Sequence, residues 1–156
     1  MRAPLAAALL LLGALAAPAL AREPERPPEV ARARMEHHLA RVRGLAEHFE
    51  TVLGRECPRF STPREWRAYL DAEIDRVILL IAHLEEAWIE AKYTGDDDVR
   101  RDAKAPRKRV DRARALVEKL SDCAEGHGAA LSPRSVWRRI EREVPGRQAE
   151  IALPQP

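Results

Sequence analysis

The sequence predicts an all-α protein: an up-down-up bundle of three long helices, with a short fourth helix and an extended C-terminal tail, closed by one disulfide. Three observations predict it. Apolar residues recur every three or four positions through three long stretches, the spacing of helices that bury one lengthwise stripe. Pro and Thr stand before these stretches and Gly after them, where helices start and stop. The two cysteines, Cys57 and Cys123, then fall at the same end of such a bundle.

The first element in the chain lies outside the bundle. MRAPLAAALLLLGALAAPALA, residues 1–21, has the layout of a secretory signal peptide: Arg2, an apolar run from Leu5 to Ala17, and the small-residue site Ala19-Leu20-Ala21. Cleavage is expected before Arg22. The rival is retention as an anchor, against which stand Pro18 and a run shorter than the roughly 20 residues of a usual span. No later segment is apolar enough to cross a bilayer, so no transmembrane span is expected after signal removal. The expected location is periplasmic or extracellular. REPERP, residues 22–27, is proline-rich and charged and reads as a flexible leader.

The bundle domain is expected over residues 28–146. Its first helix spans Pro28 to Leu53, with Met35, Leu39, Val42, Ala46, Phe49 and Leu53 stepping by alternating four and three residues. Gly54 is its stop. The second helix opens with the clearest punctuation in the chain: Thr62 as N-cap, Pro63 in the first turn, and Glu65 placed to complete a capping box. Its seam is Trp66, Leu70, Ile74, Val77, Ile81, Leu84, Trp88 and Ala91, and Tyr69, Ile78 and Leu80 widen it. A helix apolar over so broad a face is expected at the centre. Thr94-Gly95 ends it.

The third helix starts at Asp96-Asp97-Asp98, whose carboxylates suit the positive end of a helix. Its seam, Val99, Ala103, Pro106, Val110, Ala113, Val117, Leu120 and Ala124, keeps phase through Pro106. One helix kinked at Pro106 is therefore expected, with a break into two as the alternative. Gly126 and Gly128 end it. The short fourth helix begins at Ser132-Pro133, carries Trp137, Ile140 and Val144, and is expected to stop at Pro145-Gly146. RQAEIALPQP, residues 147–156, reads as the extended tail.

In an exported protein two cysteines are most simply one bridge, Cys57–Cys123. Short connections make consecutive helices antiparallel, which brings both sulfurs to one pole. Neither cysteine has the paired cysteines or histidines of a zinc site.

Charge and chemistry narrow the function classes. With 27 basic and 25 acidic residues the formal net charge is +2, which argues against a bulk nucleic-acid binder. His37, His38 and His48 share the first helix, but His37 and His38 diverge by about 100° around it. They are expected to be solvated or at the seam edge. No His pair at i and i+4 and no Glu three residues before a His supports a metal helix, so no metal or cofactor is expected. His83, with Glu86 and Glu90 on its helical face, is the candidate pH-sensitive site. No catalytic constellation is recognisable, and the reading leans away from an enzyme.

Arg101, Lys104, Lys108 and Arg112 recur at helical spacing as one basic stripe. It is the candidate surface for an anionic partner, either a protein or an envelope component. The competing reading is charge pairing between this helix and the acidic second helix. The expected function is a non-enzymatic exported binding or adaptor module. The alternative is a metal-handling protein or enzyme using His83 with Glu86 and Glu90, or the helix-one histidines.

Overall fold

A computed structural model describes residues 26–104, 106 and 109–153. The expected signal segment, the leader before Arg26, and residues 154–156 of the tail lie outside the described residues. The elements in order are α1 (Pro28–Leu53), α2 (Pro63–Tyr93), α3 (Asp97–Lys104), α4 (Arg109–Gly126) and α5 (Pro133–Ile151). The fold is all-helical, with no strand among the described residues and one disulfide, Cys57–Cys123.

Local chemistry sets the boundaries. At the start of α2 the Glu65 amide donates to Thr62 Oγ1 (3.2 Å), and the Thr62 and Ser61 amides both donate to Glu65 Oε2 (3.0 Å each). The amides of the N-cap and of the first turn at Glu65 are thereby satisfied, with that of Ser61 just before them. At its other end Gly95 takes a positive φ of 69°, a conformation that glycine adopts at no steric cost. Asp96 then opens α3, its Oδ1 accepting from the amides of Asp98 (2.9 Å) and Val99 (3.2 Å).

Two expectations are corrected. The third stretch is two helices rather than one kinked rod: α3 ends at Lys104 and α4 begins at Arg109. Pro106 lacks an amide, and its ring crowds the preceding turn. The two pieces also bury their apolar residues in different places. Val99 and Ala103 of α3 join Met35, Ala87 and Ala91 in a small cluster. Ala113, Leu116, Val117, Leu120 and Ala124 of α4 join the main core with Phe49, Trp66, Ile74 and Ile140. An apolar seam in continuous phase does not require a continuous helix.

The second correction concerns the C-terminus. α5 is not short and does not stop at Pro145-Gly146; it runs to Ile151, so residues 147–151 of the expected extended tail are helix. Pro145 removes one hydrogen bond, but contacts with α2 hold the turns beyond it. Arg147 pairs with Asp75, and Gln148 Nε2 donates to Glu86 Oε1 (3.4 Å). Val144, buried at the junction, anchors the same stretch in the core.

α2 packs against each of the other helices, as its broad apolar face predicts. Polar contacts climb α1 while descending α2: Arg26 with Glu90, His38 with His83, His48 with Glu73. α4 lies on α1, where Arg112 pairs with Glu50. α5 lies on α2, where Arg139 pairs with Asp71 at 2.7 Å. The disulfide joins the α1–α2 loop to the last turns of α4, with Cα atoms 5.5 Å apart and Cys123 buried.

Candidate functional site

The pole that carries the disulfide also carries a pocket. It is a cavity of about 170 Å³ whose apolar walls are Val52, Pro58, Tyr69, Leu120 and Cys123. Its polar residues are His48, Arg55, Glu56, Glu73 and Lys119. The chain builds it from the end of α1, the loop holding Cys57, the first turns of α2 and the last turns of α4.

Two polar assemblies border this space. Glu73 is 2% exposed, and a carboxylate can only accept, so His48 Nε2 donates to its Oε2 at 2.9 Å. Arg76 donates to Glu73 Oε1, also at 2.9 Å. Burial and the nearby Glu73 charge, in that order, raise the pKa of the Tyr69 phenol above its ordinary value. Lys119 Nζ donates to the carbonyls of Val52 (3.0 Å), Leu53 (2.9 Å) and Arg55. The Val52 and Leu53 carbonyls belong to the last turn of α1, and that of Val52 also accepts from the Arg55 amide (3.2 Å), so the ammonium adds a C-terminal cap supplied by another helix.

An aromatic group seals the loop above. His127 stacks on Trp66 (centroids 4.6 Å apart, planes at 15°) and donates from Nε2 to the Pro58 carbonyl at 2.9 Å. Phe60 rests on Tyr69 at 5.3 Å. The loop conformation therefore follows from packing on both sides of the disulfide.

The second cluster of interest is midway along α1 and α2. His38 Nδ1 and His83 Nδ1 lie 2.9 Å apart, with the two residues 0% and 5% exposed. His37, exposed, has its ring centroid 5.4 Å from that of His38. Burial first, then neighbouring charge (His83, His37 and Arg34 for His38; Arg41 and His37 for His83), lowers both pKa values to about 4. At neutral pH both rings are uncharged, and one proton between the two Nδ1 atoms makes the bond. His38 Nε2 is buried without a hydrogen-bond partner among the described residues.

The residues singled out from sequence are distributed as follows. His83 meets His38 across the helix pair, whereas Glu90 is held by Arg26 and by Arg34 (3.6 Å) and Glu86 accepts from Gln148. His38 is interior rather than solvated or at the seam edge as expected, while its diverging neighbour His37 takes the exposed direction. In the basic stripe, Arg101 pairs with Asp98 of its own turn, Lys104 lies 4.6 Å above the Trp88 ring, and Arg112 pairs with Glu50. Lys108 lies outside the described residues. Two acids of α2 reach arginines of α5, Asp71 to Arg139 and Asp75 to Arg147.

Sequence reasoning missed the His48–Glu73 pair and the His38–His83 pair. Both join residues on different helices, whereas the spacing within one helix shows only neighbours on that helix. A signal existed: stepping down the second helix while stepping up the first brings 48 opposite 73 and 38 opposite 83. Comparison with protein-family models, with curated proteins and with solved structures finds no match to this chain.

Proposed function

We propose that this protein is an exported, non-enzymatic helical binding module, working in the cell envelope or outside the cell, with the disulfide pole as its binding end. The observation that carries this reading is the pocket beside Cys123, apolar over most of its wall and bordered by the buried carboxylate of Glu73. A concave apolar surface with one or two fixed polar groups is the usual form of a small-ligand site. Export draws its support from the signal-like residues 1–21 and from the disulfide, a bond that persists in oxidising compartments.

The same reading takes the chain path as up, down and up through α1, α2 and α3–α4, with α5 returning beside α2. The contacts that climb α1 while descending α2 support the antiparallel first pair. The Arg112–Glu50 pair, together with Lys119 at the end of α1, supports a parallel α4. Stripe residues Arg101, Lys104 and Arg112 have partners within the chain, so an anionic-partner surface is the lesser reading of that face.

The alternative, a metal-handling protein or an enzyme using His83 with Glu86 and Glu90, or the helix-one histidines, has the short His38–His83 Nδ1 contact in its favour. Against it, Arg34 and Arg41 add positive charge around the pair. No group of three or more His, Cys, Asp or Glu suited to a metal ion occurs among the described residues.

The test has two arms. Expression with the native N-terminus, followed by fractionation and N-terminal sequencing, should yield exported protein beginning at Arg22. A small-molecule screen on isotope-labelled protein should give amide shifts concentrated at His48, Val52, Tyr69, Glu73 and Leu120. Hits scattered over the surface, or catalysed turnover of a screened compound, would overturn the reading.

A further inference from the structure

We propose that the pocket beside Cys123 takes uncharged organic molecules of single-ring size and turns away ions of either sign, because the charges set into its wall are already matched from within the chain. This deepens the binding-module reading, on which it rests, by naming the ligand's chemical class.

Four residues of the wall carry formal charge: Arg55, Glu56, Glu73 and Lys119. Arg55 and Glu56 are exposed, one of each sign, and water screens them. Glu73 and Lys119 decide what the interior accepts. Glu73 is 2% exposed, and its charge is offset by Arg76, which donates to Oε1 at 2.9 Å. His48 donates to Oε2, also at 2.9 Å. Both carboxylate oxygens therefore hold a donor.

Lys119 is matched as fully. An ammonium has three N–H bonds to give, and the carbonyls of Val52 (3.0 Å), Leu53 (2.9 Å) and Arg55 take them. The first two belong to the last turn of α1, where the helix dipole ends in partial negative charge that offsets the ammonium.

An ion entering this space meets one fixed charge of each sign, and neither is open to it. A carboxylate finds no N–H left on Lys119; an ammonium finds both Glu73 oxygens occupied. Either ion gives up hydration without gaining a counter-charge, which is costly in a partly apolar enclosure. An uncharged body gives up little and covers Val52, Pro58, Leu120, Cys123 and the Tyr69 ring, gaining in proportion to the apolar area removed from water.

Size and rigidity follow from the same wall. The cavity measures about 170 Å³. An apolar cavity of roughly 150 Å³ takes up benzene, so one ring with a short substituent fills this space and a fused pair overfills it. The wall also stands without a ligand. His127 stacks on Trp66 and donates to the Pro58 carbonyl at 2.9 Å, and the disulfide ties the same loop to Cys123. Little ordering is left for binding to oppose.

The experiment titrates benzyl alcohol, benzylammonium and benzoate into the whole chain, disulfide intact, at neutral pH, followed by amide shifts and calorimetry. Benzyl alcohol should saturate shifts at Val52, Tyr69, Leu120 and Cys123 and bind at least tenfold tighter than either ion. Naphthylmethanol, the same alcohol on a fused ring, should bind at least tenfold more weakly than benzyl alcohol. Val52→Phe, which fills the cavity, should lower benzyl alcohol affinity tenfold or more. Lys119→Met uncovers the α1 carbonyls, so benzylammonium should there gain at least fivefold relative to benzyl alcohol.

Equal or tighter binding of either ion overturns the exclusion of charge and leaves the binding-module reading standing. Equal or tighter binding of naphthylmethanol overturns the size limit. Unchanged affinity in a folded Val52→Phe protein overturns the pocket as the site. An unchanged ratio in folded Lys119→Met overturns internal matching as the cause. Binding of no probe at the pole overturns the inference, and the pocket no longer supports the broader reading.

Discussion

His38 and His83, 45 residues apart in sequence, face each other across α1 and α2 with their Nδ1 atoms 2.9 Å apart in the protein interior. Neither ring can take a second proton without placing a cation among Arg34, Arg41 and the partner imidazole. The contact therefore belongs to the neutral state of both rings.

Acid should weaken the fold through this pair. In the unfolded chain each imidazole protonates near 6.5, whereas in the fold both pKa values lie at about 4. Between those values the unfolded state binds more protons, so stability is complete above about pH 6.5 and falls as pH drops toward 4. The loss is on the order of 3 kcal/mol per imidazole at most. Urea unfolding at pH 7.5 and 4.5 measures it, and His83→Gln should flatten the dependence. An unchanged slope in a folded variant would remove the pair as its source.

Reduction should destabilise the protein strongly. The bridge joins residues 66 apart, and closing a loop of that length is worth about 4 kcal/mol by chain entropy. Thermal unfolding with and without reductant gives the comparison, with Cys57→Ser/Cys123→Ala as the permanent form. Rapid alkylation of both cysteines in native, unreduced protein would contradict the pairing.

Thr62→Ala should cost about 1 kcal/mol, the usual value of an N-cap. Because Thr62 and Glu65 satisfy each other's amides, their effects should not add. A double-mutant cycle with Glu65→Ala reads the coupling directly; strictly additive losses would show that the two bonds act independently.

Lys119→Met should cost about 1–2 kcal/mol, since it keeps the apolar stem and removes the charge at the end of α1. Hydrogen exchange should quicken in the last turn of α1 with little change in α5. Uniform acceleration across all helices would mean that the cap acts globally.

The helices with punctuated ends were the most legible in the sequence. Thr62, Pro63 and Glu65 specify the start of α2 by local bonding alone, and Gly95 its end. The cysteine pairing was legible because it depends only on which helix ends meet. Two local signals misled. The apolar phase that runs on past Pro106 predicts a kink, yet α3 and α4 feed separate clusters. Pro145-Gly146 predicts a stop, yet Arg147 and Gln148 tie the following turn to α2. The His48–Glu73 and His38–His83 pairs were not visible because each depends on the register between two helices, which no single stretch of sequence records.

Cys57 and Cys123 enclose α2, α3 and the chain around Pro106 within one covalent ring. A protease that severs the backbone once inside that ring produces two fragments still joined through sulfur. Such a nicked protein would migrate at full mass until a reductant is added. In surroundings rich in proteases and poor in thiols, the bond makes a single cut insufficient to release either half.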